Sequence, residues 1–369
     1  MGLIADPHRP VRIGLLGAGF MGRLHSAAYK LLPLVYRDTV PRVELVRIAG
    51  RSRVPDAAAR DYGWADATDD WHAITEADDI DLVDIATPND THAAMVTSAA
   101  ANRKIIVCEK PVATNGPEAR RMAQAVADAN VPTTVCFVFR TWPAAQVARA
   151  IIERGDLGTI HGFRGWFLHD HVSDQRDVRA WRLDPSRSGT GILGDIGSHM
   201  FDLARTLVGD VSELFATTRG RLSAKVPVDD EADIQLRFRT GAAGHIWISW
   251  LATGTGMDVG FEVHGDLGAV RFSWRQPSEL LVYDARRPRD TRGFTTVPLG
   301  PAHPAAAPLT EITGIGLGYQ EGFVTLLGAF LQDLCNQTAT APTFHDGVIA
   351  AEYVDAALRS AHEAAWVTT

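Results

Sequence analysis

Two short stretches of this chain carry residue types and spacings that can move protons. In "VCEKPVA", Lys110 stands between Glu109 and Pro111, directly after the apolar run Ile105-Ile106-Val107. Proline fixes its own φ and restricts the backbone of the residue before it, so the lysine ammonium is aimed rather than free to wander. In "GDIGSHMFD", Asp195 and His199 are four residues apart. If a helix has begun by Asp195, both point to one face, about one turn apart. A neutral histidine near pH 7 can accept a proton, which suits oxidation of a hydroxyl. The plainer alternative makes Asp195 a helix cap and His199 a buried polar residue. A metal reading is poorer, because no third ligand lies at a fitting spacing. His169, Asp170 and His171 in "FLHDHVSD" form a further polar group that either lines a substrate pocket or ends a solvated strand.

These residues need elements to hold them. Through about residue 135, short apolar runs ("VRIGLLGAG", "VELVRIAG", "DLVDIAT", "KIIVCEKP", "TTVCFV") alternate with Ala-rich segments of helical spacing ("DAAARDYG", "THAAMVTSAAANR", "NGPEARRMAQAVADAN"). Strands alternating with helices predict βαβ units and a parallel sheet covered on both faces. The rhythm then changes. "QVARAIIERGDLG" reads as an amphipathic helix stopped by glycine, a Gly/Ser-rich region leads into the helix "HMFDLARTLVG", and strand-like runs with turn signals follow. Hairpins in an antiparallel or mixed sheet fit that pattern. "YQEGFVTLLGAFLQDLCNQ" and "DGVIAAEYVDAALRSAHEAAW" read as late helices, and 285–318 as a long irregular connection.

The first apolar run ends in Gly17-Ala18-Gly19-Phe20-Met21-Gly22, which is G-x-G-x-x-G after a strand and before a helix, the context of a dinucleotide turn. Gly17 allows the tight turn, Gly19 lets a pyrophosphate approach the backbone, and Gly22 lets helix and strand pack closely. The helix N-terminus offers free N–H groups to phosphate. An NAD site usually has Asp or Glu at the end of the second strand, on the ribose 2′-hydroxyl. This chain has Arg51-Ser52-Arg53 there. Two arginines could neutralise a 2′-phosphate, which leans toward NADP. The alternative is that Arg51 covers the adenine face while NAD binds.

Composition sets outer bounds. A chain of 369 residues is long for one core, and two domains are expected, 1–136 and 137–369. Charged residues are 22% and the net charge is −8, with no basic run, which argues against a nucleic-acid binder. Cys108, Cys136 and Cys335 are far apart and follow no metal spacing; the first two lie in apolar runs, as buried reduced thiols would. A cytoplasmic protein is the simple reading. The N-terminus has no signal-peptide core, and no run approaches the ~18 apolar residues of a membrane span.

Taken together, the glycine loop, "ATPNDTH" (Ala86 to His92), "CEKPVA" and "GDIGSHMFD" resemble the glucose–fructose oxidoreductase / inositol dehydrogenase (Gfo/Idh/MocA) family over nearly the whole chain. The resemblance implies an N-terminal Rossmann domain with a doubly wound parallel sheet and a C-terminal α+β domain with a large, mostly antiparallel sheet. It implies that Lys110 lies beside the nicotinamide of NAD or NADP, that His199 is the favoured general base, and that Asp195 binds substrate. It brings Thr87, Pro88, Asn89, His92 and Glu109 near the cofactor, along with Phe20, Met21, Arg51 and Ser52 of the glycine loop and the second strand. Trp181 and Arg182, in a W-R segment before the glycine cluster, become candidate walls of a sugar or polyol site with His169. Hydride transfer from a secondary alcohol needs a group to take the hydroxyl proton, and a partly desolvated lysine beside a cationic ring would have a lowered pKa. The implied activity is a dehydrogenase acting on a sugar, anhydrosugar, glycoside or cyclitol, at C3 of a pyranose ring in the branch that "GFMGRLHSAAY" resembles. The implied assembly is a homodimer or homotetramer. Two other readings stay open: a catalytically silent sensor that binds NAD(P), and a relative using a tightly held nicotinamide for dehydratase- or glycosidase-type chemistry.

Overall fold

The computed structural model describes residues 9–51, 54–170, 180–220 and 228–369. In chain order the elements begin with β1 (Val11–Leu16), α1 (Phe20–Val35), β2 (Val43–Ala49), α2 (Val54–Tyr62), β3 (Asp66–Thr68), α3 (His72–Thr75), β4 (Leu82–Ile85), α4 (His92–Ala101), β5 (Ile105–Cys108), α5 (Gly116–Ala129) and β6 (Thr133–Val135). Next come α6 (Pro143–Glu153), β7 (Ile160–His169), α7 (Pro185–Ser188), a π-helical turn Leu193–Gly197 and α8 (Ser198–Val208). Strands β8 (Val211–Arg219), β9 (Glu231–Phe238), β10 (Ala243–Ser249), β11 (Met257–Gly265), β12 (Gly268–Ser273), β13 (Glu279–Asp284) and β14 (Thr295–Pro298) follow. The chain ends with α9 (Tyr319–Asn336), α10 (Phe344–Glu363) and β15 (Val367–Thr368). The chain divides into two compact units. The first runs to Thr141 and takes in Tyr319–Ile349; the second holds Trp142–Gly318 and Ala350–Thr369.

The first unit is built on a six-stranded parallel sheet in the order β3-β2-β1-β4-β5-β6. Strands β4 and β5 are buried throughout and β1 nearly so, as a sheet covered on both faces requires. Register fixes the functional edge. Leu16 pairs with Ala49 and with Ile85, and Ile85 pairs with Cys108. The loops beginning at Gly17, Gly50, Ala86 and Glu109 therefore leave the sheet on one line, its carboxyl edge. The order reverses between β1 and β4, and that is where open α/β sheets bind ligands. Local sequence chemistry supports the helices. Asn115 caps α5 by accepting the Glu118 N–H, Glu118 reaches back to the Thr114 N–H, and Asn130 ends the helix in the left-handed region at φ 50°. Helix α9 packs along α1 so closely that a Cβ on Gly328 would lie 2.1 Å from the Tyr36 ring.

The second unit is built on a nine-stranded sheet in the order β14-β13-β12-β11-β7-β10-β9-β8-β15. It is mixed: β10 runs parallel to β7, and the other neighbours are antiparallel. Alternation in β9, where Ala232, Ile234, Leu236 and Phe238 are buried and Gln235 and Arg237 are exposed, shows one face packed and the other open. Helix α8 lies on the packed face. Its Met200 occupies the space that a side chain at Gly165 of β7 would take, at 2.7 Å.

The structure corrects two expectations. The 285–318 connection is not irregular throughout: Thr295–Pro298 forms edge strand β14 on β13. Its four residues, Thr295-Thr296-Val297-Pro298, are mostly exposed and gave no apolar run to read. Asp195 does not stand in an α-helical turn with His199. It lies in the π-helical turn that precedes α8, so the two side chains are offset from a simple i, i+4 pair.

Candidate active site

The glycine loop has the geometry its three glycines allow. Gly17 has φ +115°, and a Cβ there would lie 2.5 Å from the Ala86 carbonyl oxygen. A Cβ on Gly22 would lie 1.9 Å from the Gly17 carbonyl, so helix α1 can close on the turn only without one. A Cβ on Gly19 would meet nothing within 4 Å; the space beside the turn is open. Gly19 is the N-cap of α1 and, being glycine, has no side chain with which to cap the helix's first N–H groups. Such a turn fits a dinucleotide pyrophosphate. Phe20 is 41% exposed beside the Arg23 guanidinium, Met21 is partly exposed, and Arg51 is exposed just after β2. Ser52 and Arg53 lie outside the described residues.

The lysine corner lies on the same sheet edge. Lys110 is half-buried, and its backbone N–H donates to Glu109 Oε2 at 3.1 Å. The Lys110–Pro111 bond is cis. Glu109 is 5% exposed. The neighbouring loop is tied to this corner through His92, which is wholly buried. Its Nε2 faces the Thr87 carbonyl at 2.9 Å and its Nδ1 faces the Pro111 and Val112 carbonyls at 3.1 and 3.3 Å. Burial pushes its pKa below the ordinary histidine value, against the opposing pull of the facing carbonyls and Glu109. The structure thus makes His92 a strut between two loops rather than a lining side chain. Thr91 Oγ1 donates to Thr87 Oγ1 at 2.7 Å, which orients the partly exposed Thr87, while Pro88 is partly exposed and Asn89 buried.

In the second unit, Asp195 is the partly exposed residue of an otherwise buried turn. The Arg182 Nε lies 3.4 Å from Asp195 Oδ1, and the guanidinium sits 4.5 Å above the Trp181 ring. The structure therefore groups Trp181, Arg182 and Asp195. His199 is buried on α8; its ring centroid is 6.3 Å from that of Phe167, which in turn lies 5.9 Å from His169 at the end of β7. Asp170 accepts the Gly254 N–H at 2.8 Å, and His171 lies outside the described residues.

Sequence reasoning missed two supports. Asp229 accepts the backbone N–H groups of Gly191 and Leu193 at 2.8 and 2.7 Å, anchoring the turn that presents Asp195. Gly191 packs so tightly there that a Cβ would lie 1.9 Å from the Asp229 carbonyl. The acidic pair Asp229-Asp230 just before an alternating strand was the available signal. The other is the buried partnership of Asp84 with His25, signalled by an aspartate inside the four-residue apolar strand β4.

A parallel sheet in this strand order with a capless glycine turn at its switch point defines a dinucleotide-binding protein. The family model for an oxidoreductase family with an NAD-binding Rossmann fold matches residues 11–137, and that for the GFO/IDH/MocA C-terminal domain matches 145–271. The chain belongs to the Gfo/Idh/MocA family of NAD-binding oxidoreductases. It is 36% identical to levoglucosan dehydrogenase of Pseudarthrobacter phenanthrenivorans over 97% of each chain. It is 30% identical to inositol 2-dehydrogenase of Rhizobium meliloti over 96% of this chain and 97% of that one. The solved structure of levoglucosan dehydrogenase in complex with NADH and levoglucosan superposes with a TM-score of 0.95 at 37% identity, covering 98% of this chain and 99% of that one.

Proposed function

We propose that this enzyme oxidises a secondary hydroxyl of a sugar, an anhydrosugar or glycoside, or a cyclitol, at C3 where the substrate is a pyranose ring. The observation that carries the reading is the common sheet edge, where the glycine turn, Thr87-Pro88-Asn89 and Glu109-Lys110 leave β1, β4 and β5 in register. It is supported by similarity along the whole chain to enzymes named for an anhydrosugar and an inositol.

The glycine turn, Phe20, Met21, Arg51, Thr87, Pro88, Asn89 and Glu109 are the residues proposed to hold NAD or NADP, with Ser52 from the sequence alone; bound, the nicotinamide supplies the hydride acceptor. Lys110 holds the substrate oxygen or takes its proton. His199 is the general base. Asp195, oriented by Arg182, accepts a hydrogen bond from a substrate hydroxyl. Trp181 gives an aromatic face to sugar C–H groups, and His169 adds a polar group. In this reading the dinucleotide half is 1–136 and the substrate and oligomerisation half is 137–369. Assembly as a homodimer or homotetramer is proposed through the open face of the nine-stranded sheet, where Trp247 is 38% exposed. Its three free cysteines suit a cytoplasmic setting, and no helix among the described residues is long and apolar enough to cross a membrane.

The test is a panel of sugars, anhydrosugars and cyclitols assayed by reduced-nicotinamide absorbance, with NAD and NADP separately. Lys110→Ala should lower kcat by about two orders of magnitude or more, with cofactor affinity within about threefold. Unchanged kcat would remove Lys110 from the mechanism. No turnover with any substrate, together with a cofactor that does not exchange, would favour a bound-nicotinamide enzyme of another reaction class.

A further inference from the structure

A buried chain of polar groups runs behind the lysine corner, inside the first unit. His25, on α1, is 0% exposed. Its Nδ1 lies 3.0 and 2.8 Å from the two carboxylate oxygens of Asp84 on β4, and its Nε2 lies 3.1 Å from Glu109 Oε1 just after β5. One turn further along α1, the Tyr29 hydroxyl donates to Asp84 Oδ2 at 2.9 Å. The second oxygen of Glu109 accepts the Lys110 N–H. Cys136, after β6, joins the same cluster, and the Phe323 ring of α9 closes it at 5.1 Å from the His25 ring.

The proton count follows from donor chemistry. Ionised carboxylates only accept, and neutral imidazole has a single N–H. With a carboxylate on each ring nitrogen, a neutral ring would set a lone pair against an oxygen at hydrogen-bond distance in a dry core. Two N–H groups remove that clash. The charged ring also offsets one of the two buried carboxylates.

We propose that His25 is a positioning residue for the lysine corner: a doubly protonated ring that clamps Asp84 and Glu109, so that the second oxygen of Glu109 holds the Lys110 backbone in one place. Burial alone would lower the pKa of His25, but the charge and hydrogen bond of Asp84 work against it, and the pKa stands well above the ordinary 6.5. Burial pushes the Cys136 thiol up to about 12, which keeps it a neutral neighbour rather than a thiolate. Among the described residues, the groups against the ring are Asp84, Glu109, Cys136 and the Phe323 ring. The link to catalysis rests on the proposed role of Lys110; the clamp itself does not.

The test uses the full chain with its histidines labelled with 15N. Both ring nitrogens of His25 should still resonate as imidazolium at pH values above the usual histidine titration. In Glu109→Gln, the amide can donate to Nε2, so His25 should become neutral with its proton on Nδ1, facing Asp84. His25→Gln can donate to only one side; it should lower kcat about tenfold or more, as small misplacements near the chemistry do, while the KM for sugar and the Kd for cofactor stay within about threefold. A neutral His25 in the wild type, a metal ion bound at one per chain on the cluster, or wild-type kcat in His25→Gln would each overturn the proposal. If no sugar is turned over at all, the two resonance measurements still decide the clamp, and the failure belongs to the function reading alone.

Discussion

Replacing Asp346 by asparagine should destabilise the first unit by an amount the structure fixes. Asp346 is the third residue of α10, and its Oδ2 accepts the Thr343 N–H at 2.7 Å and the Thr343 hydroxyl at 3.0 Å, while the Thr343 hydroxyl faces the Asp346 N–H at 3.4 Å. Arg140 Nη1 lies 3.1 Å from the same oxygen, and both side chains are 11% exposed. Burial alone would raise the carboxyl's pKa; Arg140 and the Thr343 bonds outweigh it and take the pKa from 3.8 to about 2. That difference corresponds to about 2.5 kcal/mol of folded-state preference for the charged form. A depressed carboxyl contributes stability above its unfolded pKa and loses it as pH falls through the folded value. The contribution is therefore full at pH 7, about 1 kcal/mol smaller by pH 3, and mostly gone by about pH 2. An asparagine at this position keeps an oxygen for Thr343 but not the charge, so Asp346→Asn should cost about 2 kcal/mol at pH 7. Urea unfolding of wild type and variant at pH 7 and pH 3 measures both values. A gap below about 0.5 kcal/mol at pH 7, the size of an exposed pair, or a gap equal at both pH values, would refute the reasoning.

Two of the three glycines of the cofactor turn should separate folding from binding. Gly19→Ala points into open space and should leave stability within about 0.5 kcal/mol while weakening NAD binding. Gly22→Ala collides with the Gly17 carbonyl and should lower both, read by thermal melts and cofactor titration. Asp229→Ala strips two backbone N–H groups of their acceptor and should cost about 2 kcal/mol, with a fall in kcat as the Asp195 turn loosens. Arg51→Ala should lower kcat/KM with NADP about tenfold relative to NAD, as expected when a phosphate loses a charged partner; an unchanged ratio assigns Arg51 to the adenine face.

How much was legible follows from particular residues. The run Val11–Leu16 and the glycines after it have only one common meaning, and the alternation in β9 and β10 declares a one-faced sheet. Asp66–Thr68 is three residues long with no apolar pattern, and it became β3 only because β2 offered an edge. The π-helical turn escaped because five residues with two glycines cannot distinguish one helical period from another. Lys110 could be singled out from its neighbours, but its support could not. Asp84 in a dry strand demanded a partner, and only the fold brings in His25, 59 residues earlier in sequence.

Strand β7 sits in the middle of the larger sheet, with β11 on one side and β10 on the other. Neither neighbour exists until Ala243 and Met257 have left the ribosome, so a nascent chain carries the central strand, with both its edges bare, through the synthesis of α8, β8 and β9. Long-range pairing of this kind slows folding and exposes sticky edges. Growth temperature and chaperone supply should therefore govern soluble yield of this protein more through the second unit than through the first.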